Sequence, residues 1–168
     1  MSLSMYQAFI PPAIRALNNL AAIVDKIAAH AEARKIAPEV LIGARLFPDM
    51  LPFVKQIQIA SDTVKGGAAR LAGVEAPVFV DDEASFAELQ ARIQKTIAYL
   101  QSFKPEQIDG SEDKDITVAM RSGDLHFKGQ AYLLGFVIPN LYFHISTAYA
   151  IARSNGVELG KRDFLGKE

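Results

Sequence analysis

Apolar positions recur at helical spacing over most of the chain, most densely from Gly129 to Asn155. In that run Leu134, Ile138, Leu141, Ile145, Ala148 and Ala152 fall on one face of a predicted helix. Asn140, His144 and Thr147 follow one another by about a turn along an adjoining stripe. Asn155-Gly156 supplies a left-handed stop. A helix this apolar is buried on several sides, so the other helices are expected to pack around it.

Three further helices are predicted. The first covers Met5 to about Ala31, with Ile14, Leu17, Leu20 or Ala21, Val24 and Ile27 as its inner stripe. Pro11-Pro12 either kinks it or marks its first turn. His30 stands near its C-terminal end, where a cation suits the helix dipole, and is otherwise open to a ligand role. Pro38-Glu39 opens a short helical piece. A break near Phe47-Pro48 then starts a second long helix to about Leu71, with Asp49 in its first turn and a polar series of Arg45, Asp49, Gln56 and Thr63. Gly66-Gly67 is expected to loosen its last turns, and Gly73 to stop it. Ala76–Val80 is an extended connection. Ser85 and Glu88 form a capping box for a third helix on Phe86, Leu89, Ile93, Ile97 and Leu100.

Pro105 closes that helix, and a polar loop at 109–113 follows. Ile116, Val118 and Met120 alternate with Thr117, Ala119 and Arg121; Leu125 and Phe127 alternate with Asp124, His126 and Lys128. The pattern is a small β-hairpin with His126 on its polar face, and so short a hairpin must pack on the helices. The tail from Val157 carries Phe164 and Leu165 between charged residues and is expected to be ordered by them. The architecture predicted is a single all-α domain over residues 1–168, a four-helix bundle with a β-hairpin before the last helix.

Composition narrows the function classes. Lys and Arg number 18 against 19 Asp and Glu, and half of the residues (50%) are hydrophobic. Balanced charge without a basic block speaks against a nucleic-acid partner, and the apolar content against disorder. There is no cysteine, which removes disulfides, thiolate catalysis and cysteine-bound zinc. The N-terminus lacks a signal-peptide pattern, and Pro139, Asn140 and His144 interrupt the apolar run, so a cytoplasmic protein with no membrane role is expected. Gly156 to Arg162 echoes a phosphate-binding loop but is one residue short, lacks the closing Ser or Thr, and follows a helix rather than a strand.

Candidate chemistry centres on His144. A neutral imidazole in an apolar helix suits a metal ligand or general base, and equally a hydrogen-bonded core histidine. Its helical neighbours Asn140, Leu141, Thr147 and Ala148 are weak metal donors, so a metal needs Asp49, Asp62 or His30 from other helices. Asn140 either serves that site or satisfies carbonyls freed by Pro139. Asp49 either joins them or pairs with Arg45 at a helix start. The expected ligand set is His144, Asn140, Asp49 and Arg45, with His144 and Asp49 as metal donors for a weakly bound divalent ion. Tyr142, Ser146, Tyr149 and Arg153 form another stripe, an interface face or a pocket wall.

The runs LFPDMLPFVKQIQIASD, ARLAG, IPNLYFHISTAYAIAR and NGVELGKRDFLG together resemble the domain of unknown function 1993 family, over nearly the whole chain. That family is similar to the DinB/YfiT-like bundles. The resemblance implies a bundle with long crossover connections, commonly a homodimer, within a superfamily associated with metal-dependent and thiol-transfer enzymes. DinB-like proteins typically hold a divalent metal with three histidines, one on the second helix and two spaced by four on a later one. His144 resembles one of the later pair, but Asn140 and Ala148 stand at its partner positions, and the second helix has no histidine. Two functions are expected from this: a small-molecule or metal-binding bundle, or a homodimeric interaction module without catalysis.

Overall fold

The computed structural model describes residues 3–120 and 122–166. Arg121, placed in the hairpin's polar alternation, and the last two residues of the tail lie outside them. Helix α1 runs Met5–Arg34, α2 Pro38–Ile42, α3 Phe53–Ala72, α4 Phe86–Gln101 and α5 Pro105–Ile108; strands β1 (Asp115–Val118) and β2 (Leu125–Lys128) follow. The last long helix comprises α6 (Gly129–Tyr132), a π-turn (Leu133–Val137) and α7 (Ile138–Ser154), before a short α8 (Lys161–Leu165). Around the bundle α1 packs on α4, α4 on α3, α3 on α7 and α7 on α1. Helices α1 and α3 are not neighbours in this ring, so the chain between them crosses the bundle.

Local chemistry fixes the ends. Ser4 and Gln7 form a capping box on α1, and Ser85 caps α4 by accepting the Glu88 N–H at 3.2 Å. Gly73 stops α3 in the left-handed region (φ 74°). Pro11 and Pro12 lie inside α1 on its exposed side, past its first turn.

The second long helix begins at Phe53, five residues after the expected start at Pro48. Each residue before a proline is pushed out of the α region. With prolines at 48 and 52, the segment between them forms a turn closed by Met50 N–H to the Phe47 carbonyl (3.0 Å), and α3 starts only beyond Pro52. Asp49 therefore sits exposed in a turn and not on a helix. Arg45 does not pair with it: its guanidinium donates to the Met50 carbonyl at 2.6 Å.

The core helix also departs from the simple pattern. Leu134, expected on the inner face, is 52% exposed, while Leu133 and Val137 are wholly buried. Pro139 has no N–H, and its ring crowds the carbonyl one turn earlier. The helix widens just there: Ile138 N–H bonds the Leu133 carbonyl, five residues back, which places one more residue in the turn. Beyond Pro139 the expected face returns with Leu141, Ile145, Ala148 and Ala152 buried. By length and mean hydropathy (1.2) the run Gly129–Ser154 could cross a membrane. Its inner face is instead packed on α1 and α3, as expected of a core helix.

Gly66 and Gly67 do not loosen α3, which continues unbroken to Ala72. A Cβ on Gly67 would stand 2.9 Å from Val137 Cγ1 and 3.1 Å from Phe9 Cζ, so the glycine permits close approach of α1, α3 and the π-turn. The hairpin turns Ile116 and Val118 inward, and Phe127 packs on Tyr132 (5.7 Å) and Phe136 (5.5 Å). His126 lies on the exposed face, 3.2 Å from Thr117 Oγ1. The tail is ordered mainly by other residues than expected: Val157 and Leu159 are buried and Phe164 meets Tyr149 edge-on, whereas Leu165 is half exposed.

The extended strap before α4 is fastened by a buried arginine. Arg92 donates to Glu83 (2.8 Å) and the Val80 carbonyl (3.1 Å), and its other amine lies within ion-pair distance of Asp81 (3.0 Å) and Asp62 (3.1 Å). Burial works to raise the Glu83 pKa, but hydrogen bonds from Arg92 and Gln58 outweigh it and hold the carboxyl below its usual range.

Gly129, where hairpin becomes core helix, passes directly over the Ser111 carbonyl, which any Cβ there would overlap. Gly129→Ala is expected to destabilise the fold by ~1–3 kcal/mol, the cost of overpacking. Gly135→Ala, which meets nothing, should leave the fold as stable or slightly more so. Equal denaturation midpoints for the two variants would contradict this packing.

Candidate functional site

His144 is carried on α7 just beyond the π-turn and faces α3. Its ring is buried, with Phe143 edge-on at 5.2 Å. His144 Nδ1 lies 2.8 Å from Gln56 Oε1, and Gln56 Nε2 donates 2.9 Å to the Leu51 carbonyl. This chain fixes the tautomer. A backbone carbonyl only accepts, so the Gln56 amide nitrogen must face Leu51 and its oxygen must face the histidine. Nδ1 then carries the proton, and Nε2 keeps a free lone pair.

Nε2 has no hydrogen-bond partner among the described residues. It is not sealed in, unlike the buried unpaired atoms Ser61 Oγ and Gln58 Oε1. Burial pushes the imidazole pKa below its ordinary value, so the ring is neutral near pH 7. The result is a neutral base held in one orientation, with its acceptor atom turned away from the amide that fixes it.

The other expected residues do not close around it. Asn140 donates its amide to the Phe136 carbonyl, four residues back, at 2.6 Å. Thr147 donates to the Phe143 carbonyl at 2.8 Å. Asp49 and Arg45 are exposed on the loop before α3, and no hydrogen bond or ion pair joins either to His144 or Asn140 among the described residues. Asp62 is bound to Lys65 (2.7 Å) and Arg92, and His30 lies at the far end of α1 beside Gly156. Gln56 belonged to the recognised polar series, but its role could not be read without knowing which turn of α3 faces His144. Arg92 gave one sequence signal, the acidic run Asp81-Asp82-Glu83 upstream.

A family model described as domain of unknown function (DUF1993) matches residues 5–165. The chain belongs to the DUF1993 family. Its fold is also similar to the crystal structure of a DinB family member protein from Shewanella denitrificans. The TM-score is 0.89 and the sequences are 39% identical, over 97% of this chain and 92% of that one. No curated protein matches this chain.

The metal that the DinB-like resemblance implies can be tested against this DUF1993 site. Three ligands are needed, and among the described residues no three His, Asp or Glu side chains are grouped so that they could hold one metal ion. At the i−4 position Asn140 has given its amide to the backbone, and from α3 it is Gln56 that reaches His144, on the nitrogen that bears the proton. These residues do not fit a resident three-histidine metal.

The burial of His144 has a pH consequence. In the unfolded chain a histidine gains its proton near pH ~6.5, and in the fold only lower. Below the unfolded value the unfolded state binds more protons, so folding stability falls as pH falls. Between pH ~7 and ~5 the melting temperature should decrease, and His144→Gln should flatten that slope. An identical slope in the variant would show that His144 titrates alike in both states.

Proposed function

We infer that this DUF1993 protein is a cytoplasmic ligand-binding bundle whose polar contact is His144 Nε2 at the seam of α3 and α7. One observation carries the reading: the relay from the Leu51 carbonyl through Gln56 leaves a neutral, oriented lone pair unpaired in a mostly apolar setting. Such an acceptor suits a small molecule that donates an N–H or O–H and presents an apolar side to Phe143. Asp49 and Arg45 stand exposed on the preceding loop, with Arg45 donating to the Met50 carbonyl, and Asn140 bonds within the helix backbone. Chemistry beyond binding would use the same atom as a general base.

A second reading, a homodimeric module, is favoured by exposed apolar residues on the same side. Leu46, Phe47 and Leu51 on the loop before α3, and Phe143 beside His144, are 44–64% exposed. A second copy covering them would remove this surface from water.

Diethyl pyrocarbonate, which acylates neutral imidazole, separates these readings. Peptide mapping after brief treatment of the folded protein should find His144 modified at every protein concentration. Modification that fades as concentration rises would favour the dimer. A histidine untouched until the protein unfolds would mean that Nε2 is inaccessible, and would end the ligand reading.

A further inference from the structure

A concavity lies between α1, α7 and α8, with a volume of about 530 Å³, within the usual range of small-molecule sites. Its walls are apolar: Pro11, Pro12 and Ala16 from α1, Ile145 from α7, and Phe164 and Leu165 from the tail. The tail is held there by specific bonds, since Asn19 donates to the Phe164 carbonyl (3.0 Å) and Lys26 pairs with Asp163 (2.7 Å). The concavity is therefore built by ordered elements on all three sides.

The polar atoms in it are few and one-sided. Gln7 is engaged in the α1 cap and Asn19 in the tail, which leaves Arg15 and Tyr142. Among the described residues Arg15 carries the only formal charge of the lining, and it has no acidic partner or hydrogen bond. The Tyr142 hydroxyl likewise makes no hydrogen bond among the described residues. An arginine fork and a phenol at an apolar groove match a carboxylate joined to an apolar body: the charge meets the guanidinium and the body covers the prolines and Phe164.

We propose that this groove is a binding site for small amphipathic carboxylates, with Arg15 as the anion contact and the tail helix α8 as one wall. The site does not depend on His144. Its occupancy would couple to the order of the tail, because ligand and tail share Phe164.

Octanoate is the probe, followed by two-dimensional NMR of the intact protein. Saturable shifts in the millimolar range or tighter are expected, confined to residues 11–19, Tyr142, Ile145 and Phe164. Arg15→Gln, on an exposed side of α1, should weaken octanoate roughly tenfold while 1-octanol, which lacks the charge, binds both proteins equally. Tyr142→Phe should weaken octanoate more modestly. Non-saturating shifts, shifts centred on Gln56 and His144, or undiminished affinity in Arg15→Gln would each overturn the proposal.

Discussion

A proline inside the core helix is the constraint from which the centre of this bundle follows. Pro139 withholds one backbone N–H and crowds the preceding turn, and the helix answers by widening over Leu133–Val137. The extra residue rotates Leu133 and Val137 inward and Leu134 outward. Val137 can then lie against Phe9 and the bare backbone of Gly67, which brings α1, α3 and the core helix together. Asn140 satisfies the Phe136 carbonyl, and one turn later His144 meets Gln56. Helical distortion, tight packing and the orientation of the imidazole thus form one connected arrangement.

Around that centre, polar groups serve mainly as fasteners. The Arg92 guanidinium gathers carboxylates from α3 and from the strap, so a long connection lies down on the bundle without a strand or helix of its own. Desolvating so many charges gives little net stability, but removing one partner would strand the others. Lys26, Asn19 and Arg153 do the same for the tail, with Arg153 donating to the Val157 carbonyl. The stripe of Tyr142, Tyr149 and Arg153 is thereby a wall against which the tail folds. His144 differs from these fasteners because one of its nitrogens is used and the other is left over.

The bundle itself was legible because its signals are local and repeated: the α1 stripe, the Ser85 cap of α4, the hairpin alternation and the glycine stops. Elements failed to follow the pattern where two local rules compete. Around Pro48 and Pro52 helix-forming residues meet two proline exclusions, and the helix gives way until Phe53. At Leu134 a regular spacing is overruled by the π-turn that Pro139 imposes. The site was legible only in part for a different reason. His144, Asn140 and Gln56 stand out as polar residues on apolar helices, but which of them meet depends on the rotation of α3 against α7. That rotation comes from Gly67 and Val137, far apart in sequence and neither of them polar.

Membership of DUF1993 and the likeness to a DinB family member account for the framework, within which Gln56, held by the Leu51 carbonyl, orients His144. The central claim concerns one proton: Nδ1 carries it, and Nε2 is bare. Long-range nitrogen–proton NMR correlation on uniformly labelled protein at neutral pH reads both ring nitrogens of His144 directly. The structure predicts a protonated Nδ1 and a non-protonated Nε2, unchanged by His126→Gln and lost on Gln56→Leu. A proton on Nε2 in the folded protein would mean that the amide chain runs the other way, and the candidate site would lose its acceptor.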